Sequence, residues 1–431
     1  MPTRIVNLVR QLHNQRRPLP ELRALQFRKL KALLNESYAH VPFYRRLMRR
    51  AGITPADVRT LDDLAVLPVI GKDDLRACPE PDRLHRARYR RLRTRRISTS
   101  GSSGNPFDFM IDEECDRWRK AQYLRPYISN GRRPWHRVLR LTAFPAGQGA
   151  WYRRFRPFGE LQIGCTEPVE EQLRSLHQLR PAIVQGYPSA LRCLAFDILT
   201  RGLDIPKPVF VFTDSELLTP DTRKMIESAF NAPVLDIFGS YETDNIAYQC
   251  SRRGAYHVAL DSVITEIVRE GQVVADEADG ELVVTVLDNL VMPFIRYNLR
   301  DIMQHLTEPC PCGNSFPLLN IVAGRSDDLV VRPDGALQSP LSFLGRFDAL
   351  SDIVREYQIV QKAINEFEVR IVPAGPLSEG ATRRVRETIL TDFPDALIAV
   401  TSLPQLQRSP AAKLKAFVNE VATGHDSYRG N

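Results

Sequence analysis

Between residues 137 and 240 the chain carries four short apolar runs: RVLRLTAF (137–144), AIVQGY (182–187), PVFVFTD (208–214) and PVLDIFGS (233–240). Each is nearly continuous in Val, Ile, Leu and Phe, the pattern of a strand covered on both faces. Helical spacing fills the intervals at Glu170–Leu179 and Ser189–Arg201. Strand alternating with helix predicts an α/β fold with a largely parallel sheet. Toward the N-terminus, Leu22, Leu25, Leu30, Leu33 and Leu34 predict a helix pair over 19–50, interrupted at Pro42. After residue 255, VITEIVREGQVVADEADGELVVTVL alternates with period two around Glu270-Gly271 and Asp279-Gly280, which predicts antiparallel hairpins. From about 325, the runs LVVRPDGAL, FEVRIVP and LIAVTSL mix with helices near 340–350 and 379–393, the pattern of a small α+β domain.

A length of 431 residues suits two to three domains of roughly 100–200 residues each. With 43% hydrophobic and 26% charged residues, global disorder is excluded. No stretch reaches the roughly 18 consecutive apolar residues of a membrane span, and MPTRIVNLVRQLHNQRR lacks the apolar region of a signal peptide. A soluble, cytoplasmic protein is expected. Charge is unevenly spread: RLHRARYRRLRTRR, residues 83–96, has eight arginines in fourteen positions. Such a patch suits an anionic membrane or an acidic partner, and the competing reading is a solvated, arginine-rich face. No zinc-finger, RNP or homeodomain pattern accompanies it, so no specific nucleic acid is expected. The seven cysteines, an odd and scattered count, predict reduced thiols rather than a disulfide framework.

The strongest local chemical signal is Ser98-Thr99-Ser100-Gly101-Ser102-Ser103-Gly104, followed by Asn105-Pro106. Glycines let several N–H groups turn onto one anion, and the hydroxyls add donors for phosphate oxygens. A Ser/Gly linker is the alternative. Neither GxxxxGK[ST] nor GxGxxG occurs, which excludes the P-loop and dinucleotide fingerprints.

ISTSGSSGNP resembles the phosphate loop of adenylate-forming enzymes, the superfamily of acyl-CoA synthetases and adenylation domains. Further segments follow in the order that superfamily requires. Phe238-Gly239-Ser240-Tyr241-Glu242-Thr243 resembles its aromatic-Gly-x-x-Glu motif, and Arg296-Tyr297-Asn298-Leu299-Arg300-Asp301 its ribose-binding motif. Gly324-Arg325-Ser326-Asp327-Asp328 resembles the junction to its C-terminal domain, and Arg408-Ser409-Pro410-Ala411-Ala412-Lys413 the segment of its catalytic lysine. YAHVPFYRRLMRRAGI (38–53), LDDLAVLPVIGKDDLR (61–76), EPCPCG (308–313), RPDGALQSP (332–340) and EYQIVQKA (356–363) are similar to the phenylacetate–CoA ligase branch, and closer still to CapK-type proteins of polysaccharide clusters.

The resemblance implies an N-terminal AMP-binding domain, residues 1–324, and a mobile C-terminal lid, residues 325–431, with the active site in the cleft between them. It implies ATP-dependent activation of a small carboxylic acid as an acyl-adenylate, with release of pyrophosphate. The acyl group would then pass to CoA, or else to an amine or hydroxyl acceptor; a non-catalytic binding protein on the same fold is the rival from another class. Residues 98–104 would cradle the β- and γ-phosphates. Glu242 would hold Mg2+, a hard cation that prefers oxygen ligands. Asp301 would accept the ribose hydroxyls, with Arg325 assisting. Lys413 would stabilise charge at the α-phosphate. Ser215 and Glu216 would border the adenine, Phe238 would stack on it, and Gly239, Ser240 and Tyr241 would complete that side. Phe144, Gly147, Tyr187 and Pro188 would line the acyl pocket. A homodimer is a candidate assembly.

Three departures bear on this. Ala412 stands where the family usually has Gly, and Ala resists positive φ, so a restricted loop is expected. Asn105 replaces a common Lys, and RPDGALQSP replaces the glycine-rich turn with which many relatives approach CoA, which leaves the acceptor open. Finally, Cys250-x6-His257 with Cys310-x-Cys312 supplies three thiols and one imidazole, the ligand set of a structural Zn2+ site. The competing reading is four unrelated reduced residues.

Overall fold

The computed structural model describes residues 2–99, 107–145 and 159–421. The chain folds into two compact units. The first takes Met1–Gly131 and Ile237–Val322, and the second takes Arg132–Asp236 and Ala323–Gly424.

In the first unit, strands lie side by side in the order Gln272–Val273, Val263–Arg269, Asp279–Val286, Tyr297–Leu306, Leu318–Arg325, Arg253–Val258, Asp244–Cys250 and Val234–Ser240. The hairpins expected after residue 255 are present, with Val263–Arg269 antiparallel to Asp279–Val286. The helix pair is Leu19–His40 and Pro42–Arg50. Between them Val41 is extended (φ −112°, ψ 104°), as a residue before proline prefers. Leu22, Leu30, Leu33 and Leu34 enter one core with Phe109 and Phe294. Helix Glu113–Ser129 starts at Asp112, whose Oδ1 accepts the N–H groups of Glu114 (3.1 Å) and Cys115 (2.9 Å).

That cap also engages the arginine-rich stretch. Arg88 pairs with Asp112 (3.0 Å) and Glu114 (2.5 Å), and Arg95 with Asp116 (3.0 Å). Arg96 lies between Glu80 and Asp108, and Arg86 meets Asp82 at 3.7 Å. Half of the eight arginines thus face carboxylates. Half of the stretch's positive charge is therefore salt-bridged, and its exposed pairs contribute little to stability. Among the described residues no helix is long and apolar enough to cross a membrane.

The second unit holds the parallel strands Glu160–Gly164, Val138–Thr142, Ile183–Gly186 and Phe210–Asp214, adjacent in that order. Three of them match the apolar runs that predicted them and the fourth run, 233–240, is strand Val234–Ser240, whereas Glu160–Gly164 carries no such run. Helices Val169–Leu179, Pro188–Thr200 and Pro220–Phe230 cover them around Leu141, Val184, Leu191 and Ile226. The same unit includes a four-stranded sheet, Leu397–Ser402, Glu366–Pro373, Val354–Ala363 and Phe417–Asn419, whose central pair is antiparallel. Helices Leu341–Asp348 and Glu379–Leu390 pack on it around Phe343, Phe347, Phe367 and Phe393. RPDGAL closes a two-stranded hairpin, Val330–Val331 with Leu337–Gln338, turning at Gly335 (φ +81°).

Candidate active site

Strand Val234–Ser240 returns as Asp244–Cys250 through a hairpin whose tip is Tyr241-Glu242-Thr243. The turn is unusually close. A Cβ on Gly239 would lie 2.1 Å from the Asp244 carbonyl oxygen, so only glycine fits. Asp244 itself takes φ +63°. Ser240 and Thr243 lock the tip: each backbone N–H donates to the other's hydroxyl at 3.2 Å. From helix Glu113–Ser129, Arg119 donates to the carbonyl of Tyr241 (2.7 Å) and pairs with Asp244 (3.2 Å). Burial raises the Asp244 carboxyl above its usual range, and Arg119 opposes that shift.

This geometry tucks the Glu242 carboxylate inside, 5% exposed. The Lys72 ammonium lies 3.3 Å from Oε1, and the Tyr297 hydroxyl donates to the same oxygen at 3.2 Å. Lys72 also reaches the Thr99 hydroxyl at 3.4 Å. Ser98 and Thr99 leave strand Thr94–Ser98, which pairs with Asp108–Asp112. Thr99 N–H donates to the Phe107 carbonyl, and Phe107 N–H donates to the Thr99 hydroxyl, both at 2.9 Å, closing the loop at its base. Ser100, Gly101, Ser102, Ser103 and Gly104 lie outside the described residues, as does Gly147. The first unit therefore brings together Glu242, Tyr297, Thr99 and a lysine that the sequence reading left without a role. Lysine scarcity was the available signal: the chain has nine lysines.

Other predicted residues are more scattered. Phe238 is half-buried and meets Tyr256 edge-on, ring centroids 6.4 Å apart. Asp301 sits half-buried in strand Tyr297–Leu306. Arg325 pairs with Asp327 at 3.5 Å. Tyr187 is buried at the start of helix Pro188–Thr200, whereas Phe144 is 67% exposed. Ser215 takes φ +70° after strand Phe210–Asp214. The Glu216 carboxylate accepts from Ser189 N–H (3.0 Å), Ser189 hydroxyl (3.1 Å) and Leu414 N–H (2.7 Å).

Lys413 lies in a closed turn. Ser409 N–H donates to the Lys413 carbonyl (3.0 Å), Ala412 N–H to the Ser409 carbonyl (2.7 Å), and Lys413 N–H to the Ser409 hydroxyl (3.2 Å). Ala412 takes φ +54°, so the position requires the left-handed backbone that glycine adopts freely. Alanine adopts it here at a cost of roughly 1–2 kcal/mol. Its methyl group packs against the apolar core of the parallel-sheet block, which offsets part of that cost. Ala412→Gly is expected to raise the melting temperature by about 1–3 °C. A drop in a calorimetric scan would show that packing outweighs strain.

Cys250, His257, Cys310 and Cys312 converge in the first unit, with their ligand atoms all within 4.8 Å of one another. Cys250 Sγ is 3.5 Å from Cys310 Sγ, far beyond the ~2.05 Å of a disulfide. Cys312 Sγ is 3.4 Å from His257 Nε2. These separations suit the edges of a tetrahedron built from Zn–S bonds of ~2.3 Å and Zn–N bonds of ~2.0 Å. His257 Nδ1 faces the Phe316 carbonyl at 3.4 Å, which directs its N–H there and leaves the Nε2 lone pair toward the thiols. Gly313 turns the chain at φ +80°, and Asn314 N–H donates to Cys312 Sγ at 3.4 Å.

A second cluster, Glu36, His40 and His85, is arranged differently. His85 Nδ1 accepts the Arg88 N–H, so Nε2 carries the proton and donates to Glu36 at 2.9 Å. That tautomer leaves no lone pair for a metal.

No family model matches the chain. Over 429 residues it is 28% identical to a phenylacetate–coenzyme A ligase of Thermus thermophilus, covering 92% of this chain and 90% of the relative. It is 22% identical to the protein CapK of Staphylococcus aureus, over 82% of this chain and 78% of that one. The crystal structure of a 2-hydroxyisobutyryl-CoA ligase with its acyl-adenylate superposes with a TM-score of 0.77 at 22% identity, over 96% and 92% of the two chains. The fold is that of the adenylate-forming CoA ligases. In sequence the chain is similar to phenylacetate–coenzyme A ligases and, more distantly, to CapK.

Proposed function

We propose that the protein is an AMP-forming ligase that activates a carboxylic acid with ATP and transfers the acyl group to CoA. In the first half-reaction a carboxylate oxygen attacks the α-phosphorus and pyrophosphate leaves. In the second, the CoA sulfur attacks the acyl carbon and AMP leaves. The observation that carries the reading is the buried Glu242 carboxylate, presented by a glycine-dependent hairpin and bridged by Lys72 to Thr99 at the base of the phosphate loop. Acid-dependent ATP–pyrophosphate exchange, followed by CoA-dependent AMP release, tests it. Absence of exchange across a panel of aryl and aliphatic acids would reject it.

Positioning and charge, rather than proton transfer, dominate such phosphoryl chemistry. Residues 98–104 would hold the β- and γ-phosphates. Lys72, between Glu242 and Thr99, would meet the same phosphates. Both described partners of the Glu242 carboxylate use Oε1, which suits a hard dication at Oε2. Mg2+ bound there would neutralise phosphate charge. Asp301 and Arg325 would hold the ribose, Phe238 and the Gly239–Tyr241 turn would border the base together with Ser215, and Lys413 would stabilise charge at the α-phosphate. Phe144, Gly147, Tyr187 and Pro188 would line the acyl pocket. The same reading divides the chain functionally into residues 1–324 and a C-terminal lid, 325–431, with Asp327 at the turn. Transfer to an amine or hydroxyl is the second reading, favoured by the Val330–Gln338 hairpin in place of a glycine-rich turn.

The proposal includes one structural zinc per chain at Cys250, His257, Cys310 and Cys312. Four protein ligands leave no open position for chemistry. Metal analysis is expected to find one zinc per chain. Cys310→Ser should release it and lower the melting temperature by on the order of 10 °C. A well-folded, zinc-free preparation would overturn the assignment.

A further inference from the structure

The turn that carries Lys413 is fastened at a point far away in sequence. Leu414 N–H donates to Glu216 Oε1 at 2.7 Å, across 198 residues. The same carboxylate takes both donors of Ser189, from the start of helix Pro188–Thr200. Arg408 completes the arrangement. One of its nitrogens donates to the Ser189 hydroxyl at 2.9 Å, and another pairs with Glu356 of strand Val354–Ala363 at 2.6 Å. Three donors on one carboxylate and a guanidinium behind it form a built contact. Charge-assisted hydrogen bonds of this kind are roughly twice as strong as neutral ones.

We propose that the Glu216 side chain is a positioning residue: it clamps the Lys413 turn through Leu414 N–H, orienting the lysine for acyl-adenylate formation. The proposal rests on the acyl-activation reading and goes beyond the adenine-side role expected for Glu216. Within the turn, Lys413 is fixed by its own backbone bonds to Ser409. Those bonds set the shape of the turn, whereas the Leu414–Glu216 bond ties it to the parallel-sheet block. Under the acyl-activation reading Lys413 acts at the α-phosphate in the first half-reaction alone, so transfer of the finished acyl-adenylate does not depend on the bond. Burial raises the Glu216 carboxyl above its usual range, while the N–H groups of Ser189 and Leu414 and the hydroxyl of Ser189 pull it back. Losing those donors therefore makes the buried charge harder to keep.

The test uses the full chain with Glu216→Ala and the near-isosteric Glu216→Gln. Glu216→Ala is expected to slow acid-dependent ATP–pyrophosphate exchange about tenfold or more, in kcat rather than in the KM for ATP. Transfer from synthetic acyl-adenylate to CoA should stay within about twofold. Hydrogen exchange of the amides in 408–415 should accelerate about tenfold or more. Glu216→Gln, which keeps one acceptor oxygen, should fall between Ala and wild type, and it carries the test if the Ala variant fails to fold. A rise in KM for ATP with kcat unchanged would return Glu216 to an adenine-side role. Equal losses in both half-reactions, or unchanged protection of 408–415, would overturn the clamp. Absence of acid-dependent exchange in the wild-type protein would reject acyl activation alone, because the amide protection reads the contact without any substrate.

Discussion

Glu242→Gln is expected to abolish acyl-adenylate formation, with a loss on the order of 10³-fold in ATP–pyrophosphate exchange, and to leave the fold intact. Both described bonds to the side chain fall on Oε1, and the amide oxygen of Gln can accept from Tyr297 and Lys72 as the carboxylate does. The hairpin is held independently, by Ser240, Thr243 and Arg119, so its shape survives. What is lost is one negative charge at a buried position beside a lysine. A hard dication binds an amide far less well than a carboxylate, and Lys72 loses its counter-ion. Circular dichroism and the melting temperature should match wild type to within a few degrees. Exchange within about twofold of wild type would remove Glu242 from the reaction.

Lys413→Ala should separate the two half-reactions. If its ammonium acts on the α-phosphate, adenylate formation falls on the order of 10²-fold or more, the scale for removing a donor from a transition state. Transfer from a supplied acyl-adenylate should proceed nearly normally, because the charge it stabilises no longer forms. The turn that carries Lys413 is built from backbone bonds and the Ser409 side chain, so truncation leaves it standing. Equal losses in both half-reactions would refute the assignment. No loss in either would direct attention to Lys415, but that ammonium pairs with Asp328 at 2.6 Å and has a structural reason to be present.

The parallel strands were legible because buried strands read as continuous apolar runs, and Ile183–Gly186 or Phe210–Asp214 leave little else to fit. Helix Glu113–Ser129 was not. It carries Pro126 inside and buries Arg125 against Asp261 at 2.8 Å, so neither composition nor periodicity marks it. Glu242, Asp301 and Lys413 were singled out through ordered motifs. Lys72 and Arg119 were not, because their meaning lies in contacts with residues 170 and 122 positions away, which a linear pattern does not display. Compactness that joins Arg132–Asp236 to Ala323–Gly424 is invisible for the same reason. Alanine at 412 was read as restrictive; the position does require positive φ, and the protein accepts the strain.

The hairpin under Glu242 separates two kinds of constraint. Gly239 offers no charge, donor or acceptor side chain, yet its place is closed to every other residue by the Asp244 carbonyl 2.1 Å from any added carbon. Random variation would therefore be blocked at 239 by space rather than by reactivity, and a change there would silence the protein without touching a reactive atom. Tyr241, two positions on and 39% exposed, would instead be constrained by the base that it borders. Within five residues, Phe238 to Glu242, one position is constrained by space and another by chemistry.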